Sequence, residues 1–588
     1  MTRTYSSRAA SLGDFTTDPR VLALVVMAFV VGGMATVGAW ILLRLIGLFT
    51  NLFWFGRFSA ASVSLAGVHP SIWVLAVPAI GGLVIGLIAR FGSEAIRGHG
   101  IPEAIEAILI GESRVGIKVA LLKPLSSAIS IGSGGPFGAE GPIIMTGGAI
   151  GSLFAQCFSL STAERKTLLV AGAAAGMTAI FGTPIASILL AVELLLFEWK
   201  PRSLIPVAAA VVIAGTARPF VIGGSGPLFI IGSIGVLPWW GIALCAGLGV
   251  ISGLQSAAMT KLLYGLEDLF ARLPIHWMWW PAIGGAAVGL GGLIDPAAMG
   301  VGYDVIGALL SDHIGFAAVL TLISVKSVIW LISLSSGTSG GVLAPLLIMG
   351  GSLGWLIGHW LPAGPSLWAL LGMAGMLGGT MRAPLTAVLF ATELTGAHDL
   401  LLPLIATTAS AYAVTVLLLK RSILTEKIAR RGRHLTREYS ADPFEVVRAR
   451  DVMVRDLATL PATMTVDEAT AFFTTGDPRH KSYPIVDKNT RLVGMASRAD
   501  ALRWRAQGTH DAATLYDTAS DDEVVAVNPA DPLARVVELM VRHEIGRIPV
   551  VEGDDRRLVG LVARKDLLQI PRMQIAQERN RSAGFGRR

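Results

Sequence analysis

Apolar runs follow one another from Val21 to Leu419, while charged residues gather at the start of the chain and after Lys420. Crossing a bilayer takes about twenty apolar residues, and residues 21–47, 72–89, 239–262 and 400–419 reach about that length. They predict membrane-crossing helices. Residues 143–153, 185–197 and 346–357 are shorter and bounded by Gly or Pro, and predict helices that enter the membrane without crossing it. Beyond about Arg448 the pattern shifts to short strand-like and helix-like segments, which predict a soluble α/β tail.

Composition agrees. Of 588 residues, 53% are hydrophobic and 15% charged, too apolar for a soluble protein and suited to a polytopic membrane body. The net charge of +7 comes mainly from basic flanks and needs no nucleic-acid partner. Residues 1–20 are polar and basic, and the run at 21–47 is too long for a signal-peptide core and lacks a clear cleavage site. It is expected to remain as a helix with a cytoplasmic N-terminus. Lys420, Arg421, Lys427, Arg430, Arg431 and Arg433 form a basic exit from the last helix. That implies a cytoplasmic C-terminus, although a patch meeting anionic lipid would read the same way. The two cysteines, Cys157 and Cys245, lie in apolar segments and suggest neither a disulfide framework nor a metal site. No nucleophile–base pair stands out, which argues against an enzyme. The chain thus divides into an N-terminal segment 1–20, a membrane body 21–430, a basic linker 431–448, a tail domain 449–572 and a polar end 573–588.

Within the body, residues 132–142 read Gly-Ser-Gly-Gly-Pro-Phe-Gly-Ala-Glu-Gly-Pro and set one carboxylate, Glu140, among glycines between apolar runs. Helix-breaking backbone at membrane depth survives only where it is buried in protein or lines a cavity, and an ionisable residue there marks a functional site. Glycine lets backbone N–H groups come close to a ligand. A helix starting near Pro142 would aim its unpaired N–H groups and positive dipole end at whatever precedes it, which suits an anion. A carboxylate beside an anion site implies a gate, because two negative charges compete for one place. The plainer alternative is a tight turn with an incidental glutamate.

The stretch has a partner. Residues 337–354 read Gly-Thr-Ser-Gly-Gly-Val-Leu-Ala-Pro-Leu-Leu-Ile-Met-Gly-Gly-Ser-Leu-Gly. Setting Pro345 on Pro142 brings Gly341 onto Gly138, Gly350-Gly351 onto Gly147-Gly148 and Gly354 onto Gly151. Ala175-Gly176-Met177 leads to Pro184 and Glu193 as Ala374-Gly375-Met376 leads to Pro384 and Glu393, with nine residues from proline to glutamate in both. The constant offset, about two hundred residues, marks a duplication of roughly 71–215 in 280–419. Duplicated halves with interrupted helices in matching positions point to a transport site at the repeat interface. The symmetric pair Glu193 and Glu393 reads better as helix capping than as a transport element.

Gly138-Ala-Glu-Gly-Pro142, Gly341-Val-Leu-Ala-Pro345 and Gly98-His-Gly-Ile-Pro102 resemble, in order and spacing, the three signature segments of the CLC chloride channels and anion/proton exchangers. The resemblance implies two inverted halves of tilted, broken helices, one pore per subunit and a homodimer. It implies that Glu140 is the gating glutamate, which occupies an anion position when ionised and swings away when protonated or displaced, so that gating depends on pH. It places Gly138, Ala139, Gly141, Gly341, Val342, Leu343, Ala344, His99, Gly100 and Ile101 along the anion pathway, with the N–H groups of Val342 and Leu343 as donors. Lys123 matches a recurrent lysine that raises the anion-binding potential; its alternative is snorkelling to the interface.

Four departures bear on function. Ala139 stands where an arginine is frequent, which removes a cation near the extracellular mouth. His99 replaces a small residue and offers a ring N–H donor, or a bulky wall. Leu424 stands where a tyrosine hydroxyl commonly meets the central anion. Leu194 falls where proton-coupled members often carry an inner proton-transfer glutamate, and leucine relays no proton. Chloride is therefore the default anion, with bromide or nitrate open, and passive channel behaviour is favoured over exchange.

The tail carries its own repeat. A helix-like segment, a strand-like 482–486 and Leu492-Val-Gly-Met-Ala-Ser-Arg-Ala-Asp500 recur as residues 531–542, then Arg547-Ile-Pro-Val-Val551 and Leu558-Val-Gly-Leu-Val-Ala-Arg-Lys-Asp566, with six residues from Gly to Asp in both copies. These resemble tandem CBS motifs, whose hydroxyl and Asp hold an adenosine ribose and phosphate. Ser497 and Asp500 keep that pattern; in the second copy Ala563 replaces the hydroxyl and Asp566 remains. An adenine-nucleotide site is implied but incomplete, and a structural module sealing the dimer beneath the membrane is the alternative. The leading expectation is an anion channel in the lipid bilayer, voltage- or pH-gated by Glu140. Its rivals are a chloride/proton antiporter of the same fold and a nucleotide-responsive membrane sensor that does not conduct.

Overall fold

The computed structural model describes residues 19–109, 111–224, 226–432, 444, 447–476, 480–507, 513–519 and 524–568. The N-terminal segment up to residue 18, Arg433 with most of the basic linker, and the 573–588 end lie outside the described residues. Residues 13–437 and 438–588 form separate units.

The larger unit is helical. Helix α1 (Arg20–Phe55) is followed by α2 (Ile72–Phe91), α3 (Ile101–Leu109), α4 (Ile117–Gly132), α5 (Glu140–Gln156), α6 (Thr162–Phe181), α7 (Pro184–Leu190) and α8 (Pro201–Val221). After α9 (Gly241–Ala271) come α10 (Trp280–Ile294), α11 (Tyr303–Leu310), α12 (Phe316–Ser335), α13 (Leu343–Gly358), α14 (Pro365–Met381), α15 (Pro384–Thr395) and α16 (Leu401–Leu418), and α17 (Ile423–Arg430) ends the series. Helices α10 to α16 repeat α2 to α8 one for one, each starting about two hundred residues later.

The repeats meet through reciprocal contacts. Gly138 N–H donates to Gly341 O at 3.1 Å, and Gly341 N–H donates back to Gly138 O at 2.9 Å, as an antiparallel bridge. Equivalent residues that exchange both bonds are related by a local twofold axis, so the halves are inverted. Gly341 needs to be glycine, since a Cβ there would strike Gly138 O, and a Cβ on Gly138 would strike the Glu140 carboxylate. The glutamate pair obeys the same axis. Glu393 accepts from the N–H groups of Ile185 (2.9 Å) and Ala186 (2.8 Å) at the start of α7. Glu193 accepts from Leu385 (3.3 Å) and Thr386 (2.8 Å) at the start of α15, and from the Thr386 hydroxyl at 2.6 Å. Each half caps a helix of the other, where the first-turn N–H groups would otherwise be unpaired.

Among the described residues seven helical segments are long and apolar enough to cross a membrane: α1, α2, α8, α9, α12, Trp277–Ile294 and His398–Arg430. Their apolar surface is only partly covered; Leu22, Phe220 and Leu417 are 70%, 90% and 84% exposed, as a lipid-facing surface requires. Helices α6 and α14 are different, with every residue from Thr167 to Phe181 and from Ser366 to Met381 buried. They pack backbone to backbone on α5 and α13, where side chains on Gly147, Gly172, Gly350 or Gly372 would strike a facing carbonyl. Helix α7 runs on into a π-helical turn, Ala191–Leu196, that ends at Phe197 in the left-handed region.

In the smaller unit β1 (Leu460–Pro461) pairs parallel with β2 (Ser482–Val486), which pairs antiparallel with β3 (Leu492–Ser497); β4 (Arg547–Glu552) and β5 (Arg557–Ala563) form an antiparallel pair. Each copy keeps its own apolar core, Phe473, Tyr483 and Ile485 in one and Val536, Met540 and Ile548 in the other. Thr465 and Glu468 cap the helix Val466–Thr474 reciprocally.

Candidate functional site

The glycine pair fixes where two helices begin. Helix α5 starts at Glu140 and α13 at Leu343, the residue that replaces Glu140 under the repeat. Glu140 is wholly buried. Its carboxylate folds back over Gly138, where a Cβ would collide with it, and Oε1 accepts from the Ala344 N–H at 3.0 Å. The carboxylate therefore sits on the open N-terminus of α13, the place an anion would take. The expected donors were the N–H groups of Val342 and Leu343; the structure instead sets the N–H of Ala344 on the carboxylate, one residue further into the first turn of α13, while Oε2 has no hydrogen-bond partner.

Two more helix starts reach the same point. Gly141 packs against the His99 carbonyl, just ahead of α3, so closely that a Cβ there would clash. On the other side the Tyr303 hydroxyl, at the first residue of α11, faces the Ala139 amide. Segment 139–141 is thus ringed by the N-termini of α3, α5, α11 and α13.

It also bridges two cavities. Ala139 lines one of about 450 Å³ together with Tyr303, Asp304, Arg44 and Arg218. The two arginines bring cations to this cavity from α1 and α8. His99 lines the other cavity, of about 570 Å³, with Arg97, Tyr264, Lys427, Arg430 and Arg431. Both ring nitrogens of His99 are buried and unpartnered, so the ring lines the cavity wall with donor capacity to spare.

A buried charge network sets the His99 loop. Lys123 is 1% exposed and donates to Ile96 O (2.7 Å) and Gly98 O (2.6 Å). It does not snorkel. Glu103 accepts from the Gly100 N–H at 2.8 Å and pairs with Lys427 at 2.7 Å, so Gly100 is held by the protein, and Ile101 opens α3. Leu424 is wholly buried and lines neither cavity; the neighbouring carbonyl of Ile423 instead accepts from the Tyr264 hydroxyl at 2.5 Å. Leu194 is buried in the π-helical turn.

Two site residues escaped the sequence reading although the duplication contained them. Shifting Lys123 by the 203 residues that relate Pro142 to Pro345 gives Lys326, buried and donating to Gly300 O at 3.1 Å. Gly98-His-Gly-Ile101 recurs as Gly300-Val-Gly-Tyr303. One lysine in each half thus holds the loop before a short helix, and Tyr303 is the counterpart of Ile101.

In the smaller unit Asp500 accepts from the Ser497 N–H (2.9 Å) and hydroxyl (2.5 Å) and pairs with Arg503 at 2.8 Å. Asp566 accepts from the Ala563 N–H at 2.9 Å. In both copies the aspartate tethers the strand end to the helix that follows.

Residues 80–416 match the family described as "Voltage gated chloride channel", and residues 449–507 and 518–572 match the CBS domain. The H(+)/Cl(-) exchange transporter ClcA of Salmonella typhi is 32% identical over 340 residues, 55% of this chain and 70% of that one. The voltage-gated ClC-type chloride channel ClcB of the same organism is 32% identical over 338 residues, 56% of this chain and 80% of that one. Among solved structures, a slow cyanobacterial Cl-/H+ antiporter has a TM-score of 0.61 at 22% identity, covering 71% of this chain and 99% of that one. A eukaryotic CLC transporter has a TM-score of 0.58 at 18% identity, over 93% of this chain and 98% of that one. The inverted helical halves have the fold of these transporters, and since the family match spans more than half of the sequence, the chain belongs to the CLC family of voltage gated chloride channels, with a pair of CBS domains following its membrane body.

Proposed function

We propose that this multi-pass membrane protein is a chloride channel, gated by Glu140 and acting as a homodimer with one pore in each subunit. The observation that carries this reading is the Glu140 carboxylate lying on the Ala344 amide, where four helix starts meet between two cavities. The ionised carboxylate satisfies the α13 N-terminus and excludes an anion from it. Once protonated or displaced it yields that place, and chloride is held by the backbone N–H groups of Val342, Leu343 and Ala344. In this reading the side of the His99 cavity is cytoplasmic, as are both chain termini, which the positive-inside tendency supports through Lys427, Arg430 and Arg431 on the cavity wall. Chloride efflux from vesicles containing the purified protein tests this reading. No flux with chloride, bromide or nitrate would contradict it.

Passive conduction is preferred because the turn around Leu194 offers no proton relay: its acid, Glu193, is engaged by two N–H groups and a hydroxyl of α15. The second reading, a chloride/proton antiporter, is favoured by the exchange activity named for the ClcA relative. For the CBS pair, tethering by Asp500 and Asp566 supports a structural role over an adenine-nucleotide site.

His99 carries selectivity in this reading, since it lines the cavity beside the anion place and its two buried ring nitrogens have no hydrogen-bond partner. His99→Ser is expected to change the chloride-to-nitrate permeability ratio several-fold. Identical ratios in the variant and the parent would dismiss the role.

A further inference from the structure

We propose that the Tyr303 hydroxyl is the partner of the Glu140 carboxyl in the open state, so that the gate moves from the amides of α13 to the start of α11. The proposal rests on Glu140 being the gate.

Two buried polar atoms on neighbouring groups lack partners, Glu140 Oε2 and the Tyr303 hydroxyl. One accepts and the other donates. The tyrosine oxygen faces the Ala139 amide, one residue before the gate, and lies within electrostatic range of the carboxylate. Its ring is braced edge-on by Phe181 and Phe229, with centroids 6.1 Å and 6.3 Å away, so the hydroxyl is presented at a fixed place. Tyr303 and Ala139 both line the 450 Å³ cavity, which gives the carboxyl room to swing. A buried polar group left without a partner destabilises the state that holds it. Joining these two removes both deficits as the carboxyl gives up Ala344.

The other charges around the gate come from several elements. Helix α12 brings Lys326, anchored on Gly300 O, and α11 brings Asp304 to the cavity rim with Arg44 of α1 and Arg218 of α8. On the His99 side stand Glu103 of α3, Lys123 of α4 and Lys427 of α17. Helix α13 carries no charged residue, and those of α6, Glu164, Arg165 and Lys166, lie at its start beside the far end of α5. Tyr303 is the hydroxyl among these groups that faces the gate from the cavity side.

The test is chloride flux against pH for four proteins: wild type, Tyr303→Phe, Glu140→Ala and the double variant. Losing the open-state partner of the protonated carboxyl should lower Tyr303→Phe flux roughly tenfold, the upper scale of one hydrogen bond between neutral groups. It should also move half-activation to lower pH by about one unit, since a tenfold bias against opening requires about tenfold more protons. In the Glu140→Ala background the tyrosine substitution should have no effect, and flux there shows that the doubly substituted protein folds. A wild-type pH profile for Tyr303→Phe would overturn the proposal. So would an equal change of flux or selectivity in the Glu140→Ala background, which would make Tyr303 an anion ligand or pore wall. A pH profile unchanged by Glu140→Ala alone would instead remove the gate itself, a separate failure.

Discussion

Glu140→Gln is expected to raise chloride flux on the order of tenfold or more and to flatten its dependence on pH. The substitution keeps the shape of the side chain and removes its charge. In the parent the carboxylate accepts a charge-assisted bond from the Ala344 N–H at 3.0 Å in a fully buried place. Bonds of this kind are worth about 1.5–3 kcal/mol, and a neutral amide keeps only part of that hold. Chloride, still fully charged, then competes better for the start of α13. The sign of the pH effect follows from the gate. Acid releases the carboxylate, so parental flux rises as pH falls, whereas the carboxamide does not titrate. Flux measured across the acid-to-neutral range decides the point, and a variant that retains the parental pH profile would rule out Glu140 as the titrating gate.

Lys123→Met is expected to have the largest effect on folding. Lys123 is buried to 1% exposure and holds the carbonyls of Ile96 and Gly98 at 2.7 Å and 2.6 Å, in the electrostatic range of Glu103 and Lys427. A methionine of similar length fills the space and leaves two carbonyls without their donor beside a carboxylate with one fewer cation. Removing one member of a buried charged cluster costs about 3–5 kcal/mol, a large share of the roughly 5–15 kcal/mol that holds a typical domain folded. Lys118→Met, at an exposed position one and a half turns earlier on α4, should change stability by no more than about 0.5 kcal/mol. Thermal unfolding of the two variants in detergent checks this. Equal midpoints would show that the lysine does not hold the His99 loop.

The duplication was the most legible feature, because it is written in glycines and prolines whose backbone demands cannot be met by other residues. Gly138 and Gly341 could be set side by side from their spacing, and the structure joins them by two hydrogen bonds. Glu193 and Glu393 were read as caps, and they cap each other's repeat. Short helices were also apparent where glycine and proline cut the apolar runs, as at α5, α7 and α13.

What stayed hidden depends on three-dimensional placement. Helices α6 and α14 are buried all round, but their Ala- and Gly-rich sequences carry no stripe that separates a core helix from a lipid-facing one. That the donor is the Ala344 amide and not those of Val342 and Leu343 depends on the rotamer of Glu140, which no spacing reveals. Lys123 could be matched but not placed, because a lysine stem serves equally to snorkel or to reach inward. Lys326 stands at the same offset of 203 residues as Gly341, and Tyr303 at one residue less from Ile101. They were passed over because Ile101 gives no hint that its counterpart would be a hydroxyl. In the CBS pair, Ser497 and Asp500 fit a ligand pattern in sequence, yet in space they bind each other.

The measurement that bears most directly on a gated channel is chloride efflux from vesicles loaded with chloride and containing the purified protein, recorded together with external pH. The account predicts fast efflux down the gradient with no accompanying proton movement, since Leu194 carries no proton and Glu193 is engaged by the start of α15. Protons driven uphill by the chloride gradient would contradict it and make the protein an exchanger with a proton route elsewhere.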